Sequence, residues 1–184
     1  MKLGDARYNA IAIMVAKAPH PYRIRSFQAK DRDSCRCLYT EGILGSGLSP
    51  NDTGWDIDHI DEVYMRKPQN HFWVAVTPQD EVIGMLGVQH HEQGVGEIRR
   101  LRVAEEHRRK GIGTALLETA LRFCQQRGDV KVTLDTVMDK EMAMPLFEKF
   151  HFRFHSSKQI GDKELLYFYV DLYSSEKKIT DVRK

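Results

Sequence analysis

Residues 97–114 constrain this chain more than any other stretch. A strand ends at Val103. A basic turn follows, Arg108, Arg109 and Lys110, and two glycines, Gly111 and Gly113, then open a long helix. The first turn of a helix carries N–H groups without partners and a partial positive charge, so it is a ready anion site. Glycines let the backbone approach a phosphate and adopt positive φ. Three cationic side chains add charge around the anion. A nucleoside-triphosphate loop would need Gly-Lys-Ser/Thr, whereas Gly113 is followed by Thr114 and Ala115. A dinucleotide fingerprint wants three glycines after a buried strand. Here there are two, after a strand carrying Glu97, Arg99, Arg100 and Arg102. The plainer reading is a tight turn beside a solvated basic face. Charge, glycines, strand and helix start occurring together argue against it.

The rest of the chain reads as a frame for that loop. Residues 22–27 alternate like a half-buried strand. Residues 31–44 read as a helix, with Cys35, Leu38, Tyr39 and Ile43 at helical spacing. Residues 45–54 form a loop, and Ile57, Ile60 and Tyr64 line a short second helix. Residues 72–76 and 82–88 flank the turn 78–81 as a hairpin, and 97–103 continues the meander. Residues 112–127 form a helix with Ile112, Leu116, Ala120 and Phe123 as its stripe, stopped by Gly128. A strand at 130–136 precedes a helix entered near Met144 and Pro145, since proline suits a first turn. Strands 153–160 and 165–172 close the fold around Gly161 and Asp162. The order predicts an α/β protein, a mixed sheet with helices on its faces.

Length and charge narrow the class. The 184 residues suit one domain spanning 21–173, with an N-terminal extension at 1–20 and a charged tail at 174–184. Lysine and arginine number 28 against 26 acidic residues, a balance that gives no reason to expect nucleic acid as a partner. No apolar run reaches the roughly 18–20 residues that cross a bilayer, so no membrane partner is expected. Residues 10–18 loosely imitate a secretory signal, but the apolar stretch is short and Asp5 spoils the basic flank. Cys35, Cys37 and Cys124 are a poor disulfide framework and read as reduced thiols in a cytoplasmic protein.

Residues 108–113 match the Arg/Gln-x-x-Gly-x-Gly/Ala motif of the GNAT superfamily of acyl-CoA N-acyltransferases. Residues 100–108 are similar to the strand and turn preceding that motif. Residues 143–152 resemble the family's Ala-x-x-Leu-Tyr-Glu-Lys-x-Gly-Phe segment. The resemblance implies an α/β (α+β) fold: a mixed, mostly antiparallel sheet splayed between its fourth and fifth strands and flanked by about four helices. It implies acetyl-CoA as co-substrate and no metal. The pantetheine arm would lie in the splay against backbone groups of Leu101 and Val103, with Arg102 between them. The loop Arg108, Arg109, Lys110, Gly111, Ile112, Gly113 and Thr114 would hold the pyrophosphate.

Amide formation needs a free amine, a stabilised carbonyl oxygen and a protonated leaving thiolate. Direct attack suffices: nothing in the sequence requires a covalent intermediate, and Cys124 sits on the apolar helix stripe. Glu97 resembles the position of the glutamate base in the family's histone-acetylating branch and is the candidate catalytic residue, acting directly or through water. A surface carboxylate paired with Arg99 is the alternative. His90 and His91 lie on opposite strand faces, so at most one points at an acceptor; exposed turn histidines are the plainer reading. Phe147 stands where many relatives carry a tyrosine that protonates the thiolate, and neither Tyr64 nor Tyr167 is placed at the sulfur by the sequence. Lys140 and His151 replace the family's asparagine and glycine.

The segment between the first two helices carries Asp52, Asp56, Asp58, Asp61 and Glu62. It reads as an acidic wall for a cationic amine or as a solvated helix face, the latter favoured. Trp55, Phe72 and Trp73 default to core packing. The function expected is transfer of an acetyl group to a primary amine of a small molecule or peptide, with a homodimer left open. A non-catalytic acyl-CoA sensor and a nucleotide-binding module are the alternatives.

Overall fold

The computed structural model describes residues 21–41, 52–137 and 140–173, with 140–143 described by backbone alone. The proposed terminal extension and tail, and most of the loop after the first helix, lie outside the described residues. Seven strands form one sheet in the order β1-β2-β3-β4-β5-β7-β6. They are β1 Arg23–Ser26, β2 His71–Val76, β3 Val82–His91, β4 Val95–Val103, β5 Lys131–Thr136, β6 Arg153–Ile160 and β7 Lys163–Asp171. All neighbours pair antiparallel except β4 and β5, which are parallel.

Helices cover both sheet faces. On one, α3 (Ile112–Arg127) buries Ile112, Leu116, Leu117, Ala120 and Cys124 against Trp73, Leu86, Ile98 and Leu134, with α4 (Lys140–Glu148) beside it. On the other, α1 (Arg32–Thr40) and α2 (Trp55–Asp58) cover Phe72, Val74, Val76 and Met85. Two-sided burial explains why β2 and the first half of β3 are nearly continuous apolar runs. Gly84 makes the α3 contact possible: a Cβ there would lie 3.1 Å from both Ile112 Cγ2 and the Arg102 carbonyl.

Two expectations need correcting. The second helix is two short segments, α2 and a π turn at Asp61–Met65, whose closing bond runs from Arg66 N–H to the Asp61 carbonyl. The last helix begins at Lys140, so Pro145 lies inside it. A proline there forgoes one hydrogen bond. Burial of Phe147, two residues on in the same helix, against Phe152 and against Phe168 of β7 offsets the loss. His151 takes the left-handed conformation, φ 62°, of the family glycine it replaces.

Candidate functional site

Two features of β4 open the sheet. Its parallel pairing to β5 stops at Ile98↔Leu134, although β4 runs on to Val103. Opposite β3, the register slips between Met85↔Arg102 and Gly87↔Arg99, so Arg100 and Leu101 face the single residue Leu86. Arg100 adopts φ 59° in this bulge. Bulges bend a strand and increase its twist, and here the bend carries the second half of β4 away from β5. Sequence reading missed the bulge, since an arginine gives no sign of positive φ.

The resulting cleft, about 320 Å³, runs from the splay to the start of α3. Every loop and strand residue singled out for the co-substrate lines it except Lys110. Leu134, Asp135 and Phe147 close its far side. At the α3 end, Arg109 (φ 60°) and Gly111 (φ 82°) both take positive φ, and the first helical bond is Ala115 N–H to the Gly111 carbonyl at 3.0 Å. The amides of Ile112, Gly113 and Thr114 therefore precede the hydrogen-bond ladder and stand free for an anion. The mouth is open. A Cβ at Gly113 would meet nothing nearer than Val103 Cγ2 at 3.8 Å, and one at Gly111 nothing nearer than the Tyr22 hydroxyl at 3.6 Å. The protein itself needs no glycine at 113, and the space beside it is left empty by the protein's own side chains. Arg108 Nε donates to the Val103 carbonyl at 3.1 Å, tying the loop to the strand end.

Arg102 also borders the cleft. Burial and the neighbouring Arg100 charge lower its guanidinium to about 10, and its Nε has no hydrogen-bond partner among the described residues.

The acidic segment is largely paired with cations, yet Asp52, Asp56 and Glu62 border a pocket beside Arg99 and Arg100, and Asp58, Asp61 and Glu62 stay partly solvated. Arg100, with a side chain only 8% exposed, donates to both Asp52 and Asp56. Asp58 pairs with Arg36, Asp61 with Arg32, and Glu62 approaches Arg66. Burial alone would raise the carboxyls of Asp52 and Asp56, but hydrogen bonds from Arg100 outweigh it and hold both below the usual range. The reason for the difference is long-range: the cations come from α1 and β4, invisible to a local charge count. Tyr64 is likewise committed, donating to Asp56 at 2.6 Å. Phe72 and Trp73 are core, whereas Trp55 is exposed and stacked on His59.

Glu97 lies on the face of β4 away from α3. Its Oε2 is 2.6 Å from His91 Nε2 and its Oε1 is 3.8 Å from Arg99. His90 turns the other way, to Asp129 at 3.1 Å. Glu97 does not line the cleft. It lines an adjoining pocket between β4, β5 and β7, together with Asp135 and Tyr167. Asp135, missed in the sequence, borders both spaces. Its only signal was an acidic residue inside a strand, where aspartate is disfavoured. Its side chain is open to solvent at the lip of the cleft, but partial desolvation by the neighbouring strands, then the Glu97 charge, raise its pKa. Cys124 is buried on α3, and burial pushes its thiol up to about 12, which disqualifies it as a nucleophile. Among the described residues no helix is long and apolar enough to cross a membrane, and no group of three or more His, Cys, Asp or Glu could hold a metal ion.

A sheet splayed at a parallel pair, with a glycine-opened helix at its mouth, is the architecture of the GNAT fold. An acetyltransferase of that family from Staphylococcus aureus Mu50 superposes with a TM-score of 0.69 at 17% identity, over 82% of this chain and 99% of that one. A GCN5-related N-acetyltransferase from Kribbella flavida gives 0.69 at 18%, over 84% and 100%. The profile of the Acetyltransferase (GNAT) family matches residues 32–152, and the chain belongs to that family. Human N-acetyltransferase 8 is 33% identical over 103 residues, covering 53% of this chain and 45% of that protein. N-acetylaspartate synthetase from Xenopus tropicalis is 33% identical over 99 residues, covering 53% and 36%. The chain spans less than half the length of these curated relatives.

Proposed function

We propose that the protein transfers an acetyl group from acetyl-CoA to a primary amine of a small molecule or peptide by direct attack, as a cytoplasmic enzyme. The observation that carries this reading is the unplugged mouth of α3, continuous through one cleft with the splay. Amides from Arg109 to Thr114 would hold the diphosphate, and main-chain groups of Leu101 and Val103, which have no β5 partner, would take the pantetheine arm as an added strand. Bound acetyl-CoA supplies a thioester carbonyl for attack. Glu97 provides the negative charge that accepts the amine proton, through an intermediary, since it does not border the cleft. One relative is named for making N-acetylaspartate, which favours a small-molecule acceptor. The free thiols of Cys35, Cys37 and Cys124 suit a reducing compartment.

A second reading, an acyl-CoA sensor, draws on Phe147. This ring lines the cleft with 3% exposure and has no proton for a leaving thiolate. A thiol-release assay with acetyl-CoA against a broad panel of amines and peptides separates the two. Release above the hydrolytic background supports the transferase. Acetyl-CoA binding without release across the panel supports the sensor. Thermal stabilisation by ATP or NAD but not by acetyl-CoA removes both.

A further inference from the structure

Glu97 has the charge of a base but not the position. Both of its oxygens already face cationic or hydrogen-bonding partners, His91 at 2.6 Å and Arg99 at 3.8 Å. Asp135 has the position. It follows directly on Leu134, the last β5 residue paired with β4, so it stands at the lip of the splay. Glu97 pairs with Thr133 in the parallel register, which puts Asp135 on the same sheet face, two residues nearer the cleft. Asp135 is the one carboxylate bordering both the cleft and the Glu97 pocket, and among the described residues no ion pair engages it.

We infer that Asp135 takes the proton from the acceptor amine and passes it by Glu97 to the exposed His91. This rests on the acetyltransferase reading above. An incoming ammonium loses one proton to the Asp135 carboxylate. The freed lone pair forms the N–C bond at the acetyl carbonyl carbon. The C–S bond breaks with its electrons going to sulfur, and the second amine proton neutralises the thiolate through solvent. The first proton leaves by Glu97 and His91, so the products are amide, thiol and one proton.

The surroundings suit that task. From β4, Glu97 raises the Asp135 carboxyl while Arg99 and Arg100 oppose it. Lys131 of β5, His155 of β6, and Tyr167, Tyr169 and Asp171 of β7 share the pocket. A carboxyl raised above the usual aspartate range at the lip of a cleft, where solvent can still carry protons away, is better matched to an amine proton than an ordinary aspartate.

The test compares Asp135→Asn, Asp135→Glu, Glu97→Gln and His91→Gln in the full chain, using acetyl-CoA and the best acceptor of the amine panel. CoA affinity by calorimetry should be unchanged in all four, which reports folding and an intact cleft. Asp135→Asn should lower kcat/KM about 100-fold and flatten the acid limb of its pH profile, with partial recovery in Asp135→Glu. Glu97→Gln should lower kcat and move the acid limb to lower pH, because a like charge is gone. His91→Gln should lose a few-fold, restored by imidazole buffer. Asp135→Asn with wild-type kcat and profile, beside an impaired Glu97→Gln, overturns the inference and leaves the transferase standing. Should no amine release thiol, the Asp135 carboxyl is titrated by carbon NMR in the CoA complex. A midpoint in the ordinary aspartate range, unmoved by Glu97→Gln, then overturns it independently.

Discussion

At the α3 end of the cleft the protein offers main-chain amides and open space, whereas at the other end, the proposed acceptor face, it presents charged side chains, most of them engaged with one another. Gly111 and Gly113 shape the first region, and no side chain there need be placed to better than its own reach. Arg100, Asp52, Asp56, Glu97, Arg99 and Asp135 shape the second, drawn from β4, β5 and the segment around α2. A main-chain cradle tolerates change in everything but its glycines. A side-chain network is only as good as the packing that holds its members, and it can be retuned by one substitution. The contrast suggests why one end suits a ligand shared across a family and the other an acceptor that differs among its members.

The largest effect should come from the first region. Gly113→Glu should weaken acetyl-CoA binding at least about 100-fold by calorimetry, with the melting temperature nearly unchanged. The added side chain meets only open space in the protein, and an acidic residue suits a helix N-terminus. Retained affinity would break the comparison, because the mouth of α3 would then not be where the diphosphate sits.

Arg100→Gln should act in the opposite sense, costing about 3 kcal/mol of stability by denaturant titration while leaving CoA affinity within a few-fold. It strands two carboxylates that now share one buried guanidinium. A loss of only a few tenths of a kcal/mol would show that the acceptor face does not depend on that pair.

Acid sharpens the same point more gently. The carboxyls of Asp31, Asp52 and Asp56 are held below their ordinary values in the folded state by Arg25 and Arg100, against the effect of burial. A depressed folded pKa contributes stability that is present above the unfolded value of about 3.9 and lost as pH falls through the folded one. Melting temperature should thus hold down to about pH 4 and decline below it, with a shallower decline in Arg100→Gln. A decline centred well above that range would point to other groups.

The smallest effect should be Phe147→Tyr. A hydroxyl at the cleft wall would supply the missing proton donor, yet a thiolate already leaves well, so kcat should change by no more than about threefold. A rise of tenfold or more would make leaving-group protonation limiting and strengthen the sensor reading of the natural chain.

The strands and α3 were legible from local pattern. Alternation placed β1, the turn at 78–81 placed the β2–β3 hairpin, the turn at Gly161 and Asp162 placed β6 and β7, and Gly128 ended α3 with φ 89°. The helical stripe of α3 was legible because every third or fourth residue repeats one environment. Pro145 misled, since its local cost was outweighed by the burial of Phe147. The pairing of the acidic segment was not legible, because its partners, Arg36, Arg32 and Arg100, lie on α1 and β4.

Residues 108–114 announced the open helix start proposed as a diphosphate cradle, because glycine's freedom and the free amides of a helix start are properties of a few consecutive residues. The proposed acceptor face could be decided only by folding. Whether Asp135 stands beside Glu97, or Arg100 beside Asp52, depends on strand register and on a bulge at a residue that locally prefers another conformation. Coulomb interactions depend on distances across the sheet that separation along the chain does not encode.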